Sequence, residues 1–335
     1  MHVQHRQPKP VPQIILFEKA YARVQTSLAI RLPDHDVILW HADDTLSNRG
    51  TPVDVAQIAP TAAWLSGDVL DGPLLEKFAA VLTRLPSLEW VQTANAGLDH
   101  PVYQRLEQAG VSISKSGAQS IAIAEYVLGY ALWHAQQISQ RQVQQADRLW
   151  QAKHFGELWQ SRWLIVGYGH IGRNVATRAK AFCCDTTIVR RSGVGDEYAD
   201  RVIPLDDIAA HLPQADVVVL ACPASAATES LVDEAFLAAL KPDTLLINVA
   251  RGSLIDEQAL LRSLDHGRPG HAVLDVFRTE PLPSEHPFWR HPSVTVTAHT
   301  SNAGSGTRGR GDELFLSNLE RFAAGEAPLD IAPAG

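Results

Sequence analysis

Residues 163–192 read WLIVGYGHIGRNVATRAKAFCCDTTIVRRS. An apolar run, Trp163 to Val166, has the length and composition of a buried strand, and it meets three glycines, Gly167, Gly169 and Gly172. The helical run RNVATRAKAF and a second β-branched run, TTIV at 186–189, complete a strand, turn, helix, strand order. The three glycines serve different mechanical ends. The first permits the tight turn, the second lets a pyrophosphate approach the backbone, and the third lets helix and strand pack closely. The amides around His170 and Ile171 then open the helix and face the phosphates. This stretch predicts a parallel α/β sheet carrying a dinucleotide-binding turn. The same literal spacing recurs at Gly304-Ser305-Gly306-Thr307-Arg308-Gly309, but polar residues separate it from the nearest strand and none follows, so it is read as a flexible loop.

Working outward, the runs DVVVLA (216–221), TLLINV (244–249), HAVLDV (271–276) and VTVTA (294–298) extend the series, apolar on both faces as strands covered by helices on each side must be. An earlier set comprises IILF (14–17), VILW (37–40), AWL (63–65), LEWVQ (88–92) and VSIS (111–114). Between the two sets, Ala118 to about Gln145 reads as one long helix, a natural bridge between domains. A last helix, DELFLSNLERFAAG, is expected to start near Gly311 and return to the first domain. The fold class expected is α/β, with two Rossmann-like or flavodoxin-like domains. Residues 1–123 and 305–335 would form the substrate domain, and 124–304 an inserted dinucleotide-binding domain.

The 335 residues carry 29 Lys+Arg against 37 Asp+Glu, a net charge of −8, which argues against a nucleic-acid partner held by phosphate charge. With 45% hydrophobic and 20% charged residues, the chain can bury a sizeable core. The opening stretch MHVQHRQPKPVPQ lacks an apolar core and no later run has membrane-spanning length, so the expected location is cytoplasmic with no membrane partner. Of three cysteines, Cys183 and Cys184 are adjacent and Cys222 follows an apolar run; all three are expected to be inert core thiols in a reducing compartment. No HExxH or CxxC spacing occurs, so no metal site is indicated.

The dinucleotide is chosen at the end of the second strand, where an NAD-binding chain offers a carboxylate to the adenosine ribose. Eighteen residues beyond Gly172 stands Arg190, followed by Arg191 and Ser192. Two guanidiniums and a hydroxyl suit a 2′-phosphate, so NADP(H) is preferred, with NAD(H) as the second candidate. Beyond the late strands come Arg251, Asp275, Glu280 and His299, on the edge where open α/β sheets bind ligands. With a hydride donor nearby, Arg251 would hold a substrate carboxylate, His299 would exchange a proton with the substrate oxygen, and Glu280 would stabilise the charged imidazole. One histidine among fourteen signifies little; the joint placement of these groups at strand ends carries the reading.

These residues sit in motifs that resemble the D-isomer-specific 2-hydroxyacid dehydrogenase family. From about Asn95 to Phe322 the motifs are NAGLDH, AEYVLGYALW, VGYGHIG, LKPDTLLINVARGSLIDEQALL, AVLDVFRTEPLP and FWRHPSVTVTAHTS. The resemblance makes Arg251, Glu280 and His299 the catalytic set and Asp275 a contact of the nicotinamide amide. It gives Asn95 and the amides of Ala96 and Gly97 to the substrate carboxylate, and adds Cys222, Pro223, Val249 and Ala250 to the cofactor site. It also implies a homodimer of two-domain subunits. Departures are Ala298, where proline is common, and Ala221, where histidine is frequent; neither removes a reacting group. The arginines resemble those of NADP-preferring glyoxylate and hydroxypyruvate reductases. The expected activity is NADPH-dependent reduction of a small 2-oxo acid to the D-2-hydroxy acid; a dinucleotide-sensing corepressor of the same fold is the alternative.

Overall fold

Each apolar run expected to be a strand contains one in the computed structural model, which describes residues 12–70, 72–191 and 193–332. The chain divides into two units, Met1–Gln119 with Ser305–Gly335, and Ser120–Gly304.

The first unit contains β1 (Gln13–Phe17), α1 (Glu18–Arg31), β2 (Asp36–Trp40), β3 (Leu46–Asn48), β4 (Thr51–Pro52), β5 (Ala62–Leu65), α2 (Leu74–Leu82), β6 (Trp90–Thr93), α3 (Pro101–Gln108) and β7 (Ser112–Ser114). Its sheet runs β4-β3-β2-β1-β5-β6-β7, parallel from β2 to β7 and antiparallel through β3 and β4. Strands β3 and β4 carry no apolar alternation in sequence. They exist because Arg49 and Gly50 both take positive φ, 47° and 79°, the turn geometry that folds two short strands back on one another.

The second unit contains α4 (Ser120–Ala135), α5 (Ile138–Ala146), β8 (Arg162–Val166), α6 (His170–Ala181), β9 (Asp185–Val189), β10 (Arg201–Ile203), β11 (Val217–Leu220), α7 (Glu234–Ala239), β12 (Leu245–Asn248), α8 (Glu257–Asp265), β13 (His271–Leu274) and β14 (Val294–Val296). The sheet is parallel throughout, in the order β10-β9-β8-β11-β12-β13-β14. Alternate residues feed two cores: Leu164, Val166, Val218, Leu220, Leu246 and Leu274 point to one face, Trp163, Ile165, Val217, Val219, Ile247 and Val273 to the other. Strand order reverses between β8 and β11, where such sheets open a ligand crevice.

Three sequence expectations need correction. The helix expected over 118–145 is two helices, broken at Gln137, which takes left-handed φ 54° and ψ 44°. The reason is packing: α4 buries Ile123, Ala124, Val127, Leu128 and Ala131, whereas α5 buries no residue, so nothing holds the second segment in line with the first. The last helix, α9 (Thr307–Ala323), starts four residues before Gly311 and absorbs half of the second glycine-rich stretch, which is thus no flexible loop. Arg310 Nε donates to the Ala118 carbonyl at 2.8 Å and a carbon added at Gly311 would lie 3.9 Å from the Ala118 side chain, so tertiary contacts extend the helix through its glycines. Farther along α9, Phe315 stacks on Trp64 with centroids 4.3 Å apart, and buried Asn318 donates to Gln92, joining α9 to the core of the first unit. Finally, Cys183 is exposed at the turn after α6, with φ 59°, while Cys184 and Cys222 are buried. No helix among the described residues is long and apolar enough to cross a membrane.

Candidate active site

Gly167 leaves β8 with φ +97°, and a side chain there would meet the Ala221 carbonyl oxygen at 2.6 Å. At Gly172 an added carbon would lie 2.0 Å from the Gly167 oxygen, so α6 can approach the turn only without one. Gly169 differs: nothing lies within 4 Å of the corresponding point. The free space at Gly169 and the start of α6 at His170 and Ile171 form a cradle of the kind a pyrophosphate fills.

Beside that cradle lies a cavity of about 490 Å³, lined by Gly167, Tyr168, Gly169, Arg190, Arg191, Cys222 and Pro223 among others. Arg190 lies over the Tyr168 ring, 5.7 Å from its centroid, and donates to the Val194 carbonyl at 2.7 Å. No carboxylate among the described residues pairs with Arg190 or Arg191, so both charges remain available to an anion. Ser192 lies outside the described residues. Burial pushes the Cys222 thiol up to about 11, which keeps it protonated and unreactive. Val249 and Ala250 are buried, and their amides are spent on the Leu220 carbonyl and the Asn248 side chain.

The late strand ends converge through specific contacts. Fully buried Asn248, the last residue of β12, accepts from Ala250 N at 3.0 Å and donates to the Arg251 carbonyl at 2.9 Å, which fixes the turn carrying Arg251. Gly252 then passes so close to the 277–278 backbone that an added carbon would sit 1.9 Å from the Phe277 carbonyl carbon. Glu280 completes that loop, with Oε1 accepting from Phe277 N at 2.9 Å and Oε2 lying 2.8 Å from His299 Nδ1. His299 itself takes φ 52°, an uncommon backbone state for a residue with a side chain. Asp275 sustains it: its carbonyl accepts from His299 N at 2.8 Å, Oδ1 accepts from Thr297 Oγ1 and Thr300 N, and Oδ2 accepts from Ser301 N. Asp275 is fully buried, and three of its roughly four acceptor positions are filled by this loop. Tyr126 OH reaches Thr297 Oγ1 at 2.7 Å and braces the same loop from α4; burial raises the phenol's pKa well above its usual value, so it stays neutral.

In the first unit, Asn95 follows β6. Its Nδ2 donates to the Tyr103 hydroxyl at 2.7 Å, and that hydroxyl also meets Thr93 Oγ1 at 2.8 Å. Ser116 N donates to the Asn95 carbonyl at 2.8 Å. The Asn95 side chain is therefore occupied in shaping the turn. The half-buried amides of Ala96 and Gly97 have no acceptor among the described residues and are free to meet an anion.

A family model described as D-isomer specific 2-hydroxyacid dehydrogenase, NAD binding domain, matches residues 128–301, more than half of the chain. The chain belongs to the D-isomer-specific 2-hydroxyacid dehydrogenase family. It is 28% identical to glyoxylate/hydroxypyruvate reductase A of Serratia proteamaculans, over 88% of this chain and 97% of that one. With glyoxylate reductase of Pyrococcus horikoshii it shares 31% identity over 74% and 77%. The solved structure of a family member from Aeromonas salmonicida superposes with a TM-score of 0.77 at 28% identity, covering 97% of this chain and all of that one. Like other members of this dehydrogenase family, the protein is an oxidoreductase that uses NAD(P) and acts on CH–OH donors.

Several residues that shape this dehydrogenase's site carry no sequence signal of their own. Tyr103 and Thr93 bond Asn95 outside any quoted motif, whereas Thr297, Tyr126 and Asn248 stand within quoted motifs but with no chemical role assigned there. Only the polar Asn248 inside an otherwise apolar strand run, TLLINV, could have marked a buried fastening point.

Proposed function

We propose that the protein reduces a small 2-oxo acid, such as glyoxylate or hydroxypyruvate, to the D-2-hydroxy acid with NADPH. The observation that carries the reading is the His299–Glu280 contact of 2.8 Å through Nδ1, which leaves Nε2 as the nitrogen that exchanges a proton. The glycine-rich turn and α6 would hold the pyrophosphate, and Arg190 and Arg191 the adenosine 2′-phosphate; their lack of a carboxylate partner supports NADP over NAD. Asp275 would offer its remaining acceptor position to the nicotinamide amide. When bound, the nicotinamide supplies the hydride.

The chain's own groups do the rest. Arg251 holds the substrate carboxylate and polarises the adjacent carbonyl. His299 Nε2 gives its proton to the carbonyl oxygen, while Glu280 keeps Nδ1 protonated and balances the charge of the imidazolium from which that proton leaves. Relatives named glyoxylate reductase and glyoxylate/hydroxypyruvate reductase A support the substrate class.

We also infer a homodimer, since Val143, Leu149, Trp150, Phe155 and Trp159 expose a run of large apolar side chains within residues 143–159 that a second copy would cover. Three unpaired cysteines support a reducing compartment, the cytoplasm. Activity is tested by following oxidation of NADPH and of NADH by a panel of 2-oxo acids. Turnover with glyoxylate or hydroxypyruvate and a clear preference for NADPH are expected; equal use of NADH refutes the cofactor assignment, and inactivity across the panel refutes the substrate class.

A further inference from the structure

The segment between β9 and β10, residues 190–200, carries the two cavity arginines, and its described residues form no helix or strand. Two carboxylates hold it: Asp200, at its far end, accepts from Lys180 Nζ and from Thr186 N, both at 2.8 Å, and Asp196 fastens its middle. Asp196 Oδ1 accepts from the Tyr168 hydroxyl and from Tyr198 N at 3.0 Å, and Oδ2 accepts from Arg173 Nε at 2.6 Å. Tyr168 stands between the first two glycines of the glycine-rich turn and Arg173 lies in the first turn of α6. The segment is thereby fastened to the part of the site assigned to the pyrophosphate. Around this point Arg190 covers the Tyr168 ring at 5.7 Å and Arg173 covers the Tyr198 ring at 5.4 Å. Partial burial alone would raise the Asp196 pKa, but the bonds from Arg173 and Tyr168 outweigh it and hold the carboxyl below its usual range.

We propose that Asp196 is a positioning residue for recognition of the adenosine 2′-phosphate: by binding Tyr168 and Arg173 it sets the segment so that Arg190 and Arg191 present unpaired charge to the cavity. The inference rests on the assignment of Arg190 and Arg191 to that phosphate.

Two roles follow from the geometry. Tyr168, held by Asp196, is a rigid platform under Arg190, and Val194, two residues before Asp196, accepts from Arg190 Nη1. A guanidinium fixed on both sides loses less freedom when it meets a phosphate. In addition, Arg173 takes up the Asp196 charge and Lys180 that of Asp200, so neither carboxylate that fastens this segment neutralises a cavity arginine.

Calorimetry with 2′,5′-ADP and 5′-AMP isolates the 2′-phosphate without turnover. For Asp196→Asn, affinity for 2′,5′-ADP should fall about tenfold, the scale of one charge-assisted hydrogen bond, while 5′-AMP changes less than about twofold. Tyr168→Phe keeps the ring and removes the hydroxyl, so it should move 2′,5′-ADP in the same direction, and the double variant should be no worse than Asp196→Asn alone. Equal losses for both nucleotides, or no loss for either, in the two single variants overturn the inference. If the unaltered protein binds 5′-AMP as tightly as 2′,5′-ADP, the arginine assignment itself has failed, a result distinct from the other two.

Discussion

Gly252→Ala strikes the contact that brings the Arg251 turn against the loop carrying Glu280. The added carbon would lie 1.9 Å from the Phe277 carbonyl carbon, 2.2 Å from its oxygen and 2.3 Å from Arg278 N, where ordinary contact begins at 3.4 Å. All three atoms are backbone, so no side chain can swing aside, and one segment must retreat by about 1.5 Å. Overpacking of this kind costs about 2 kcal/mol, or about 6 °C in Tm for a unit of this size. The functional loss should be larger, because a displacement of about 1 Å in a reacting group costs about 100-fold in rate. Steady-state reduction of glyoxylate with NADPH gives kcat/KM, and a thermal melt gives Tm on the same sample. Gly129→Ala is the control: Gly129 is an exposed position of α4 with nothing within 4 Å of the added carbon. It should be neutral or stabilising by up to about 1 kcal/mol. A Gly252→Ala protein with unaltered kcat/KM refutes the claim that this close approach sets Arg251, and an unaltered Tm refutes the steric argument itself.

Glu280→Gln keeps an acceptor for Phe277 N but removes the charge facing His299 Nδ1, so kcat should fall by about 10- to 100-fold; an unchanged kcat removes Glu280 from the mechanism. His271 predicts how the fold responds to acid. Burial, together with the neighbouring His134 and His291, lowers its pKa from 6.5 to about 4. Above about 6.5 it is neutral in folded and unfolded chains alike, but as pH falls toward 4 the unfolded chain takes up the proton first. About 3 kcal/mol of stability should be lost across that window and none above it. Denaturant titrations from pH 7.5 to 4.5 measure the slope, and His271→Gln should flatten it; an equal slope in the variant assigns the acid loss to other groups.

The second sheet was nearly complete in the sequence because parallel strands buried on both faces read as continuous apolar runs, and the glycine spacing locates the crossover between β8 and β9. Local pattern failed where tertiary contact decides. Gln137 breaks a run whose polar half has nothing to pack on, whereas Thr307 to Gly311 stay helical because Ala118 is beside them. Turn geometry at Arg49 and Gly50, rather than apolar alternation, makes the β3–β4 hairpin. At the candidate site, the sequence marked Arg251, Glu280 and His299 by their place after strands, and the structure brings Glu280 and His299 into contact. Tyr103 and Asp196 were not marked, because each acts by hydrogen-bonding another residue, and such a partner is defined only once the chain has folded.

His299 as the proton donor to the substrate oxygen is the centre of the account, and His299→Asn tests it. Binding of NADPH, followed by the fluorescence of the reduced nicotinamide, should stay within about twofold of the unaltered protein, while turnover with glyoxylate or hydroxypyruvate should fall about 1,000-fold. A variant that binds NADPH and reduces the 2-oxo acid at the original rate would contradict it.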